Sequence, residues 1–87
     1  MARIYNGNDF TVKGEGRQSF RYSQNSRSAV LNAERLISEF DKDPDYVLYS
    51  NTVKWDDGFE VSAKEQRIVV EAIGEALKHF GIKYVVE

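Results

Sequence analysis

The sequence predicts an α+β fold, an antiparallel β-sheet packed against two helices with the longer helix near the C-terminus. Three observations carry this. Residues 61–87 read as a capped amphipathic helix, a glycine stop and a closing apolar strand. Short alternating segments separated by turn dipeptides occupy the first 22 residues and read as a meander. A second, shorter stretch of helical spacing lies between them, at about residues 33–40.

The C-terminal helix is the most explicit element. Ser62-Ala63-Lys64-Glu65 fits a capping box, in which the Ser62 hydroxyl accepts from the Glu65 amide and the Glu65 carboxylate reaches back to the Ser62 amide. Ile68, Val69, Ala72, Ile73, Ala76, Leu77 and Phe80 then recur at three- and four-residue spacing and form one apolar face. Lys78 and His79 fall in the last turn, where positive charge suits the helix dipole. Gly81 fits the left-handed position beyond the end, with Ile82 folding back on Leu77. Gly74 interrupts the helix at a cost of roughly 1 kcal/mol relative to alanine. It is either a tolerated surface glycine or the mark of a backbone approaching closely. Ile82-Lys83-Tyr84-Val85-Val86 is β-branched and aromatic and predicts a terminal strand.

Taken in order, Arg3-Ile4-Tyr5 and Phe10-Thr11-Val12-Lys13 flank Asn6-Gly7, a tight-turn dipeptide. Gly14-Glu15-Gly16 makes a second turn, and Ser19-Phe20-Arg21-Tyr22 alternates as a half-buried strand does. Residues 27–31 continue as a short strand or begin a helix. Asn32 is a good N-cap for a helix from about Ala33 to Phe40, closed by the acidic turn Asp41-Lys42-Asp43-Pro44-Asp45. Tyr46-Val47-Leu48-Tyr49 is a compact strand, and Trp55-Asp56-Asp57-Gly58-Phe59-Glu60 leads into the long helix.

The chain has 87 residues, enough for one domain spanning 1–87 with a modest core. With no cysteine, disulfides, thiolate metal ligands and cysteine nucleophiles are excluded. Residues 1–7 lack the apolar run of a signal peptide, and no segment has membrane-spanning length, so the expectation is a soluble, cytoplasmic protein with no membrane partner. The net charge of −2 is unevenly spread: residues 1–35 hold six Lys/Arg against three Asp/Glu, and residues 36–87 six against eleven. Such asymmetry points to a charged partner surface.

Catalytic signals are few, and the reading is of a protein that is not an enzyme and needs no cofactor or metal. His79 is the only histidine, and its place at a helix end accounts for it. Gly14-Glu15-Gly16 opens like a dinucleotide fingerprint, yet serine stands at position 19 and no helix follows. Asp41, Asp43 and Asp45 open like a calcium loop, but Tyr46 occupies the glycine position and Thr52 that of the closing glutamate. Arg17, Arg21 and Arg27 interleave with Phe20 and Tyr22 as a crude nucleic-acid signature. Alternation would instead bury the aromatics and leave the arginines solvated, and the acidic balance argues against nucleic acid.

Two acidic turns remain. Glu39, Asp41, Asp43 and Asp45 surround one; Asp56, Asp57 and Glu60 crowd the other beside Trp55 and Phe59. Trp55 either caps the core or anchors an interface, and the residues alone do not choose.

From residue 46 onward the order of features resembles a family of small immunity proteins from bacterial polymorphic-toxin and contact-dependent growth-inhibition systems. The resemblance rests on Tyr46-Val47-Leu48-Tyr49, on Val53-Lys54-Trp55 followed by acidic residues, on Ser62-Ala63-Lys64-Glu65-Gln66-Arg67-Ile68, and on the helix to Phe80-Gly81 with its final strand. Upstream, Gly16-Arg17, Phe20-Arg21-Tyr22 and the stretch 27–31 before Glu34-Arg35-Leu36-Ile37 are similar in order. Gly58 and Phe59 stand where the family often has proline. The resemblance implies an α+β inhibitor that neutralises a cognate toxin domain, in many cases a nuclease with a basic cleft, by direct protein–protein contact in the cytoplasm. The expected toxin-binding residues are Asp41, Asp43, Asp45, Trp55, Asp56, Asp57 and Glu60.

Overall fold

The computed structural model describes residues 4–15, 18–36 and 44–87. The elements are β1 (Ile4–Asn6), β2 (Thr11–Gly14), β3 (Ser19–Gln24), β4 (Arg27–Arg35), β5 (Tyr46–Leu48), a 3-10 turn (Ser50–Thr52), β6 (Lys54–Trp55), α1 (Ala63–His79) and β7 (Tyr84–Val86). They form an α+β fold, a curled sheet of order β1-β2-β3-β4-β5-β7 with α1 across one face.

The N-terminal meander forms as the alternation requires. Val12 lies opposite Tyr22, and Tyr22 opposite Ala29, so the buried residues of three successive strands share one face. The dipeptide Asn6-Gly7 does not form the tight turn by itself. Asn6 ends β1, and the loop closes through the Gly7 amide donating to the Phe10 carbonyl at 2.8 Å. Gly7 is small because the Phe10 ring covers it: a Cβ there would lie 2.8 Å from Cε2. The tight two-residue hairpin is instead Asn25-Ser26 between β3 and β4, with Asn25 at φ 54°.

The expected helix beginning at Ala33 is not formed at its start. β4 runs through Arg35, so Asn32 caps nothing and lies within a strand. Residues 37–40 of that expectation lie outside the described residues. Strand wins because both edges of β4 find partners. Asn32 pairs with Ser19, while Ala33, Glu34 and Arg35 pair with Leu48, Val47 and Tyr46. Ala29, Leu31 and Ala33, all buried, continue the two-residue alternation through the stretch.

β5 and β6 lie on the same edge of β4, both antiparallel to it, with the 3-10 turn between them. Thr52 fixes the break, its hydroxyl donating to the Tyr49 carbonyl (2.6 Å) and accepting from the Asn32 amide (2.9 Å). The sheet is mixed rather than purely antiparallel, because β7 returns from α1 parallel to β5.

α1 is the only helix of α type among the described residues, and both ends match the sequence expectation. Ser62 and Glu65 complete the reciprocal cap. At the other end Gly81 sits at φ +73°, the Ile82 amide donates to the Leu77 carbonyl and the Gly81 amide to the Lys78 carbonyl, a Schellman arrangement. Val69, Ile73, Ala76 and Leu77 are buried, whereas Ile68, expected on the apolar face, is 45% exposed. Gly74 is buried and faces a close neighbour, which is a side chain and not a backbone. The Tyr84 ring lies where a Cβ would point, its Cζ 2.7 Å from that position. No helix among the described residues is long and apolar enough to cross a membrane.

Candidate functional site

β6 delivers Trp55 to the edge of β4, opposite Ala29, and the chain then turns sharply. The Asp56 amide donates to the Ser28 carbonyl (2.9 Å) and the Gly58 amide to the Trp55 carbonyl (3.2 Å). Asp57 completes the turn by accepting the Phe59 amide on Oδ1 at 3.0 Å. Gly58 holds φ +83°, so the glycine that stands in place of proline is the residue this turn requires.

Two arginines from the N-terminal hairpin grip this turn. Arg27 shares the helix-facing side of β4 with Ala29 and Leu31. Its Nε donates to Asp57 (3.0 Å), its Nη1 to Glu65 (3.4 Å), and its guanidinium lies 3.9 Å from the Trp55 ring centroid. Arg21 projects from the opposite side of the sheet. It donates to Glu15 through Nε (2.7 Å) and Nη2 (3.1 Å), and to Asp56 through Nη1. The turn is therefore held from both faces of the sheet. Glu65 joins the clamp to α1, since the same carboxylate caps the helix.

The electrostatics follow the geometry. The Phe59 backbone N–H holds the Asp57 carboxyl below its ordinary value of 3.8, with Arg27 adding to the effect. Glu65 is held below 4.5 by the Ser62 backbone N–H first, with the Ser62 side chain and Arg27 adding to the effect. The Trp55 Nε1–H is itself enclosed and lies outside hydrogen-bonding geometry with any acceptor among the described residues. The two carboxylates of Glu15 and Asp56 raise the Arg21 guanidinium above its usual range, the Glu15 hydrogen bond most. Four carboxylates surround two guanidiniums, so the cluster keeps a net negative charge.

Trp55 is half-buried. It packs against the core, edge-on to Tyr22 at 6.5 Å, and also walls a surface hollow of about 420 Å³ shared with Val53, Phe59, Glu60, Val61 and Gln66. Trp55 therefore caps the core and also reaches the surface. Phe59, at the tip, is 72% exposed, the most open of the large exposed hydrophobic side chains. Glu60 beside it is exposed and has no ion pair among the described residues.

Trp55, Asp56, Asp57 and Glu60 are thus brought together, and Asp45 is not among them. Tyr46 pairs with Arg35 while Trp55 pairs with Ala29, six residues apart on β4, about 20 Å along an extended strand. Asp45 fastens β5 to its neighbours. Its carboxylate accepts the Lys83 amide (3.2 Å), its amide donates to the Lys83 carbonyl and its carbonyl accepts from Leu36 (both 2.8 Å). Asp41 and Asp43 lie outside the described residues, as does Arg17.

Sequence reasoning set Arg21 and Arg27 against the acidic turn as rival sites; they are its counter-ions. It also left Phe59 out of the binding set. The available signal was Gly58: a forced turn leaves the next side chain at its outer end. Among the described residues no group of three or more His, Asp or Glu side chains could hold a metal ion, and His79 packs at a tilt against Tyr5, with ring centroids 5.0 Å apart. Compared with known protein families, curated proteins and solved structures, the chain matches none.

Proposed function

We propose that this protein is an immunity-type inhibitor, a non-catalytic domain that binds the basic surface of a cognate toxin domain in the cytoplasm through the turn from Trp55 to Glu60. The observation that carries the reading is Phe59, 72% exposed on a turn fixed by two arginines and a glycine. An aromatic side chain held out on a preorganised loop supplies a large contact area with little further loss of freedom on binding. The excess of carboxylates beside it, extended by Glu60, suits a positively charged partner and speeds encounter with it. Asp56 and Asp57 serve this face mainly as the anchors that shape it.

The nucleic-acid reading gains no comparable support. Tyr22 is 2% exposed and Phe20 packs edge-on against Tyr46 at 5.5 Å, so neither offers a free ring to a base. Arg21 and Arg27 already answer carboxylates, which a phosphate would have to displace.

The test is co-expression with the C-terminal domain of a secreted toxin encoded immediately upstream. The wild-type chain should form a complex and protect the cell, and Phe59→Ala combined with Glu60→Lys should lose both. Failure of the wild-type chain to bind or protect contradicts the reading.

A further inference from the structure

β7 ends the sheet, and among the described residues no strand pairs with its outer edge. Its inner edge is fully used. Lys83 accepts the Tyr46 and Asp45 amides, the Glu87 amide donates to Leu48, and the Glu87 carbonyl accepts from Ser50. With Val47 opposite Val85 in a parallel pair, the backbone groups of residues 83, 85 and 87 point to β5. Those of Tyr84 and Val86 consequently point outward. Val85 and Val86 are 44% and 47% exposed, an apolar and unprotected edge of the kind that pairs with another strand.

We propose that two copies of this chain join by antiparallel pairing of their β7 strands about Val85. In that register Tyr84 of each copy lies opposite Val86 of the other, and each pair exchanges both backbone hydrogen bonds. Val85 meets Val85 at the two-fold axis in the closer, non-hydrogen-bonded position, at a Cα separation of about 4.5 Å. The charges select this occupant. Lys83 and Glu87 flank Val85 at equal distances on the same exposed side, so the two-fold places each lysine opposite the other copy's glutamate, twice. A lysine on an edge strand ordinarily repels a second copy; here the strand carries its own complement. β1, at the other edge of the sheet, lacks this self-complementarity, since pairing about Tyr5 would set the exposed Ile4 against Asn6. The dimer does not rest on the toxin-binding reading.

Sedimentation equilibrium of the isolated chain over a concentration series tests it, with no partner present. The weight-average mass should rise with concentration from 10.0 kDa toward twice that value. Lys83→Glu should weaken association about tenfold by setting like charges opposite each other. Lys83→Glu with Glu87→Lys should restore it, and Val85→Lys should leave a folded monomer by circular dichroism. If Val85→Lys does not fold, the charge-swap pair decides. A wild-type chain that stays at 10.0 kDa throughout, or a dimer indifferent to Lys83→Glu, overturns the proposal.

Discussion

The guanidinium of Arg27 lies 3.9 Å from the Trp55 ring centroid while its Nε and Nη1 reach Asp57 and Glu65. One side chain thus joins the N-terminal hairpin, the turn after β6 and the first turn of α1. Its partners in the last two segments, Asp57 and Glu65, lie 30 and 38 residues away in sequence. The Trp55–Glu60 turn is shaped by that junction together with its own Gly58 and Asp57.

Arg27→Ala should therefore loosen the turn while leaving the fold intact. The lost ring contact contributes about 0.5–1 kcal/mol. The exposed ion pairs add less, because water screens them. Arg27→Lys should recover only part, since an ammonium neither stacks flat on the indole nor spans two carboxylates. Trp55 fluorescence and a urea titration read both effects. A change in stability equal for Ala and Lys would remove the stacking argument.

Acid should weaken the same junction. Asp57 and Glu65 have folded-state pKa values below their ordinary 3.8 and 4.5, so they bind fewer protons folded than unfolded. Their contribution is present above those ordinary values and is lost as pH falls through the lower folded ones. At the alkaline end the sign reverses. Burial raises Tyr22, and the hydrogen bond to Glu34 raises Tyr49, above 10.0, so their contribution holds below pH 10 and is lost above it. Denaturation midpoints measured across pH should form a plateau between these limits. In Arg27→Ala the acid decline should be shallower.

Gly74→Ala should destabilise the protein although alanine favours helix. The propensity gain is about 1 kcal/mol. Against it stands the Tyr84 ring, with Cζ 2.7 Å from the new Cβ, and overpacking of that kind costs about 1–3 kcal/mol. A net loss of up to about 2 kcal/mol is expected. Tyr84→Leu should remove that cost and let the helix-propensity gain show, and a double-mutant cycle of thermal unfolding reads the coupling.

Legibility in the sequence followed the range of the interactions. The cap of Ser62 with Glu65 and the Gly81 stop involve neighbours within six residues, and both form as the residues state. At Ala33 the local helical spacing was outweighed by strand pairing on both sides of β4, one partner supplied by Leu48 fifteen residues later. The parallel return of β7 to β5 was equally invisible, because α1 and the turn separate the two strands. For the candidate site, the acids and Trp55 could be named in advance. Their counter-ions could not, since Arg21 meets Asp56 across 35 positions and Arg27 meets Asp57 across 30. Gly74 could be flagged as costly, but only the folded chain reveals that Tyr84 occupies its missing side chain.

The most direct measurement is the affinity of the chain for the toxin domain proposed as its partner, by calorimetry at two salt concentrations, comparing wild type with Phe59→Ala and Glu60→Lys. Both side chains are exposed, and neither belongs to the arginine clamp, so the fold is spared in a way that reversing Asp56 or Asp57 would not allow. The account predicts that Phe59→Ala weakens binding about thirtyfold, as loss of an aromatic anchor does. Glu60→Lys should weaken it less and flatten its salt dependence. Binding that is tight in the wild type and unchanged in both variants would place the contact elsewhere and contradict the account.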